Sequence, residues 1–352
     1  MALRLFPAVS TALSLALLPV LSAKAMAEPK VVASIKPVHA LVASVMEGVG
    51  TPELIVGGAA SPHAYALKPS QARALENADL IFWIGHELES FLEKPVETIG
   101  SRARAVELID SDGLIELPFR EGGPFEGHDH GDHDDHEGHD DNDDHAEHDD
   151  NGHGDHEDHA EKDDDGHEHE EEHEHEHDED GFDAHLWLDP LNAKVFVKTI
   201  GEALSETDPA NASTYAANVA KTNQKLDALI EEVNATLAPV HGKQFIVFHD
   251  AYQYFEKRFD MVAAGSITVN PEVRPSAERV AAIRDKVQEL KASCAFSEPQ
   301  FDGQLIDVAI EGTEARTAIL DPLGATLDDG PELYFDLIRN IATSMRDCLS
   351  AS

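Results

Sequence analysis

DPANASTYAANVAKTNQKLDALIEEVNATLAPVHG, residues 208–242, runs for almost thirty positions without Gly or Pro after Pro209. Tyr215, Val219, Leu226, Leu229, Ile230, Val233 and Leu237 recur in it at helical spacing. Asp208 is a suitable N-cap and Pro209 suits the first helical position. Pro239 and Gly242 end the pattern, so the segment predicts a helix about 40 Å long at 1.5 Å per residue. A rod of this length flanked by two α/β segments implies two lobes with a rigid connector over 208–240, and large clamshell closure is disfavoured. One helix of an ordinary domain core fits the same periodicity and stays open as the alternative.

Working outward, short apolar runs alternate with amphipathic stretches on both sides. Upstream, Val31 to Ser34, Glu53 to Val56, Leu80 to Trp83 and Ala105 to Leu108 read as strands, with helices capped by Ser70 and filling His86 to Ile99. Downstream, strands are expected at Phe245 to Phe248, Val262 to Ile267, Ala295 to Ser297 and Thr317 to Leu320. Helices are expected over Ala277 to Leu290, Gln300 to Ile310 and Pro331 to Cys348. Such alternation implies parallel sheets. The fold class is therefore α/β, two Rossmann-like parallel-sheet lobes over 28–207 and 241–352, joined by the long backbone helix.

The 352 residues carry 69 acidic against 26 basic side chains, a formal charge of −43. Residues 126–180 hold 29 of the acids and 15 of the 21 histidines. That segment lacks the apolar residues needed to offset ordering entropy and is expected to be a mobile insertion in the first lobe. A nucleic-acid partner is excluded, because phosphate neutralisation needs a basic face. Residues 1–27 read as a signal peptide: Arg4, an apolar stretch centred on Leu13 to Leu21, then Ala25-Met26-Ala27 before Glu28. An uncleaved anchor is the alternative, opposed by Pro7 and Pro19. An exported chain with only Cys294 and Cys348 argues for one disulfide, two free thiols being the other possibility.

Six histidines lie outside the acidic segment: His39, His63, His86, His185, His241 and His249. His63 follows the strand ending near Val56, His249 directly follows Phe245 to Phe248, and His185 precedes a helix. Ligands of open parallel sheets collect beyond the carboxyl ends of strands, where residues of two lobes can converge across a crevice. Asp321, ending its own strand, has the same placement. Three imidazoles with a carboxylate suit Zn2+, whereas Mn2+ prefers oxygen-rich shells. Taken singly, each histidine is as well explained as a hydrogen-bonded structural residue.

These residues sit in motifs that resemble the zinc-binding periplasmic components of ABC transporters, the ZnuA type, within the helical-backbone metal-receptor group. The resemblance rests on Ser61-Pro62-His63-Ala64-Tyr65-Ala66-Leu67-Lys68-Pro69-Ser70, on Ala78-Asp79-Leu80 and on the acidic insertion followed by His185-Leu186-Trp187-Leu188. It continues through Phe248-His249-Asp250-Ala251-Tyr252, Val269-Asn270-Pro271-Glu272, Ser297-Glu298-Pro299-Gln300-Phe301 and Leu320-Asp321-Pro322-Leu323-Gly324. It implies Zn2+ held in the interlobe cleft by His63, His185 and His249, with Asp321, a water or a histidine of the insertion completing the shell. Where some zinc-specific members have Glu before the first metal histidine, this chain has Pro62. Cys294 and Cys348 match cysteines that members pair.

The resemblance implies a high-affinity receptor, not an enzyme, that captures Zn2+ in the periplasm and hands it to an ABC-type membrane permease. The insertion would serve as a weaker collector or sensor of metal. A monomer is expected, and a periplasmic zinc chaperone is a conceivable further partner. A Mn2+ or Fe2+ receptor, a periplasmic zinc buffer and a metalloenzyme with an open coordination position are the competing readings. Outside the acidic segment no His-Glu-x-x-His pattern supports the last of these.

Overall fold

The computed structural model describes residues 28–120, 181–268, 271 and 275–351. The expected signal peptide and the acidic segment 126–180 lie outside the described residues. The chain divides into two compact units. The first comprises residues to Asp112, Lys194–Ala228 and Thr326–Phe335; the second comprises Gly113–Ala193, Leu229–Ala325 and Asp336–Ser352.

In the first unit β1 (Val31–Ile35), β2 (Glu53–Val56), β3 (Leu80–Trp83) and β4 (Arg104–Glu107) form a parallel sheet of order β2-β1-β3-β4. Crossovers run through α1 (Lys36–Val45), α2 (Pro69–Asn77) and α3 (His86–Thr98). Every residue of β1 and β3 is buried, as expected of strands covered on both faces. The cap expected at Ser70 falls instead at Lys68, with Pro69 opening the helix. Gln71 explains the shift: as the third helical residue it reaches back, its Oε1 accepting from the Lys68 backbone N–H at 2.8 Å, which marks Lys68 as the cap.

Next in the chain come α4 (Pro190–Thr207) and the 26-residue α5 (Ala212–Leu237), the long helix read from the sequence. Its expected start is corrected by one turn, since Pro209–Asn211 form a 3-10 turn before the α-helix begins. Asp208 Oδ2 is taken by Asn211 Nδ2 at 2.6 Å and by the Tyr215 hydroxyl at 2.9 Å, so its carboxylate anchors side chains rather than capping amides.

The second unit repeats the topology of the first. Strands β5 (Phe245–His249), β6 (Gly265–Thr268), β7 (Cys294–Ser297) and β8 (Arg316–Ile319) form a parallel sheet of order β6-β5-β7-β8. Helices α6 (Gln253–Arg258), α7 (Ala277–Leu290), α8 (Gln304–Ile310) and α9 (Leu333–Ser350) accompany it, α9 beginning among residues of the first unit. Ile246, Phe248, Ile267, Val280, Ile283, Val287 and Ile306 pack one core cluster. Burying each such side chain contributes about 1.5–3 kcal/mol. Strand β6 starts later than the expected Val262, which is exposed, because pairing to β5 begins only at Gly265.

A disulfide joins Cys294 of β7 to Cys348 of α9, as expected, with Cα atoms 6.1 Å apart. The compact units also differ from a division at residue 207, since 113–193 group with the second unit. Hydrogen bonds show why. Leu117 N–H donates to the Tyr254 hydroxyl at 3.1 Å, Trp187 Nε1–H donates to Pro322 O at 2.8 Å, and Arg258 forks onto Asp189 with both bonds at 2.7 Å. No helix of the described residues is long and apolar enough to cross a membrane.

Candidate metal centre

Both sheets reverse direction of winding after their second strand, so each has a switch point between its first and third strands, where ligands of open α/β sheets collect. In the second unit this is the crevice beyond β5 and β7. His249 is the last residue of β5, and Glu298 is the first residue past β7. His249 Nδ1 and Glu298 Oε2 lie 3.7 Å apart, both side chains buried. Burial pushes the Glu298 carboxyl well above the usual carboxylate range, and the charge of Asp321 pushes the same way.

His185 is delivered by a loop rather than a strand. An antiparallel bridge pairs Pro118 with Phe182, and Asp183 N–H donates to Leu117 O at 2.9 Å. Beyond His185 the chain enters the 3-10 turn Leu186–Leu188, fixed by the Trp187 and Asp189 bonds above. The imidazole is therefore held on both sides. Its ring stands edge-on to that of His249 with centroids 4.8 Å apart. Asp183 Oδ1 accepts from the His185 backbone N–H at 3.0 Å and meets His185 Nδ1 at 2.6 Å.

His63 lies in the loop between β2 and α2 and is partly buried, its N–H donating to Ser61 Oγ at 3.3 Å. The far end of the loop is moored by Gln71, whose Nε2–H donates to the Tyr65 hydroxyl at 2.9 Å. One ligand atom from each of His63, His185 and His249 falls within 4.8 Å of the others, a group that could hold a metal ion. Nitrogens on a tetrahedral Zn2+ at 2.0–2.1 Å stand about 3.3 Å apart, so small rotations of the imidazoles close the difference. The other described histidines do not join the group; His39, for example, is buried with Nε2 3.0 Å from Pro52 O.

Asp321 is not part of the group. Its Oδ1 accepts from Leu323 N–H at 3.1 Å, Gly324 N–H at 2.9 Å and Gln300 Nε2 at 3.0 Å, and Oδ2 accepts from Ala325 N–H at 2.6 Å. The carboxylate shapes the turn after β8, where Gly324 takes a φ of +71°. Sequence reasoning missed Asp183 and Glu298. It also missed Arg120, which donates to both Asp250 and Glu256 beside the turn that follows His249. Burial raises the Asp250 carboxyl to about 6 in spite of that guanidinium.

Two parallel-sheet α/β units, a long helix and a three-histidine group together define a metal-receptor class of architecture. The profile described as "ZnuA: Zinc-uptake complex component A periplasmic" matches residues 31–348, and the chain belongs to this family. It is 55% identical over 320 residues to the high-affinity zinc uptake system protein ZnuA of Brucella suis biovar 1 (strain 1330), covering 91% of each chain. To the protein of the same name from Paracoccus denitrificans (strain Pd 1222) it is 43% identical over 324 residues, covering 92% of each. A solved structure described as "Crystal structure of ZnuA" superposes with a TM-score of 0.68 at 21% identity, covering 91% of this chain and 99% of the other, a likeness of fold.

Proposed function

We propose that this protein is a periplasmic Zn2+ receptor that captures the ion on His63, His185 and His249 and delivers it to an ABC-type permease. The convergence of three imidazoles from distant parts of the sequence carries the reading. Its chemistry favours Zn2+ over Mn2+, because nitrogen donors suit a borderline-soft ion. The names of the relatives, zinc uptake proteins, support the same cargo. The fourth position belongs to water, to a histidine of the insertion or to Asp321, which would keep a lone pair on Oδ2 after accepting Ala325 N–H. Export through the leader at 1–27 places the protein in the periplasm. The protein is a carrier that releases its ion unchanged, not an enzyme.

Replacing His63, His185 or His249 singly by Ala tests the reading. Structural zinc sites bind with about 10–16 kcal/mol apparent energy shared among about four ligands, so one ligand is worth about 3 kcal/mol, roughly a hundredfold in affinity. Competition against a tight chelator reads the strongest site even with the histidine-rich segment present. Tight zinc capture surviving any one of the three replacements would overturn the proposal.

A further inference from the structure

We propose that Asp183 is the positioning residue of the metal centre: it fixes the tautomer and the aim of His185, so that zinc is taken on Nε2. The inference rests on His185 being a ligand. An ionised carboxylate has only lone pairs to offer. At 2.6 Å from Asp183 Oδ1, His185 Nδ1 therefore carries the hydrogen of the neutral ring, and the bare lone pair is left on Nε2. The same oxygen accepts the backbone N–H of His185, so one atom of Asp183 sets both where the residue's backbone lies and which way its ring points.

Three further observations make this a built arrangement. Both residues are buried, Asp183 at 4% and His185 at 7% exposure, so water competes weakly for the bond. Asp183 is itself anchored, its N–H donating to Leu117 O, while Leu117 N–H donates to the hydroxyl of Tyr254 on α6. His249, the other buried imidazole of the three-histidine group, stands at the end of β5 with its Nδ1 3.7 Å from Glu298 Oε2, so the strand itself sets where that ring lies.

The test compares the full-length wild type with Asp183→Ala, Asp183→Asn and His185→Ala. Long-range 15N–1H spectra of the zinc-free protein report the ring tautomer, the His185 signals being those missing from His185→Ala. Chelator competition reports the tightest zinc affinity. Wild type should show the hydrogen on Nδ1, and Asp183→Ala should lose that preference together with about 10–100-fold in affinity, the range for removing a carboxylate behind a ligating histidine. Asparagine keeps an oxygen pinned by the His185 backbone N–H, so Asp183→Asn should preserve the tautomer and lose less than about tenfold. Unchanged affinity and tautomer in Asp183→Ala would overturn the inference. So would equal losses in Asp183→Ala and Asp183→Asn with the tautomer unchanged, since that is the mark of a purely structural role. If His185→Ala itself retains tight zinc, the ligand assignment fails instead, which keeps the two failures distinct.

Discussion

Glu89 gives the sharpest stability prediction, and it concerns a carboxyl far from any proposed ligand in the sequence. It is fully buried in α3, and its Oε2 accepts from Ile84 N–H at 2.8 Å and Gly85 N–H at 3.3 Å, just beyond the carboxyl end of β3. Burial raises its pKa from 4.5 to about 7, with Glu107 adding to the rise and the backbone bonds opposing it. Between those two values the folded state keeps a proton that the unfolded chain has released, so stability falls as pH rises from 4.5 to about 7 and the penalty is constant above. Below 4.5 both states hold the proton and the penalty is absent. At about 1.4 kcal/mol per unit, a shift of some 2.5 units is worth about 3 kcal/mol. Glu89→Gln removes the titration while its carbonyl oxygen can still accept the Ile84 and Gly85 amides. Urea unfolding of the metal-free protein from pH 4.5 to 8 should show the two proteins alike in acid. The variant should become the more stable by about 3 kcal/mol at pH 8. Other raised groups, such as Asp250, act equally in both proteins and drop out of the difference. Parallel stability curves across that range would refute the reasoning.

Excising residues 126–180 should lower the number of zinc ions bound per chain while leaving the tightest site within a few-fold of wild type, as read by calorimetry and chelator competition. The excision is sterically simple, because Pro118 and Phe182 already pair on either side of the segment. Replacing Cys294 and Cys348 by Ser releases a crosslink spanning 54 residues and should destabilise the second unit by about 4 kcal/mol in denaturant unfolding, with zinc affinity little changed.

Much of the fold was legible because parallel strands buried on both faces become apolar runs, and Leu80–Trp83 or Phe245–His249 can hardly be read otherwise. Boundaries slipped where side-chain bonds overrule periodicity. Gln71 moves a cap from Ser70 to Lys68, and Asp302 Oδ1 accepts Gln304 N–H at 3.0 Å where a helix start was expected at Gln300. The three histidines were legible because their positions relative to strands and turns follow from local pattern. The carboxylates were not, because whether an aspartate points at an imidazole or at its own loop depends on distant contacts. Asp183 owes its place to Leu117 and the segment below it, while Asp321 is absorbed by the amides of residues 323–325.

The two sheets share one topology and use it differently. In the second unit the switch point beyond β5 and β7 carries two buried polar side chains: His249 ends one strand and Glu298 follows the other. In the first unit the corresponding crevice beyond β1 and β3 is filled from within, because Glu89 folds back onto the amides of Ile84 and Gly85 that a ligand would otherwise use. His63 of that unit stands on the loop after β2, an edge strand, and the far end of that loop is moored through Gln71 to Tyr65. The three histidines that could hold a metal ion are thus one strand-end residue and two loop residues. Each loop histidine has a mooring on its own loop, Asp183 for His185 and the start of α2 for the loop of His63.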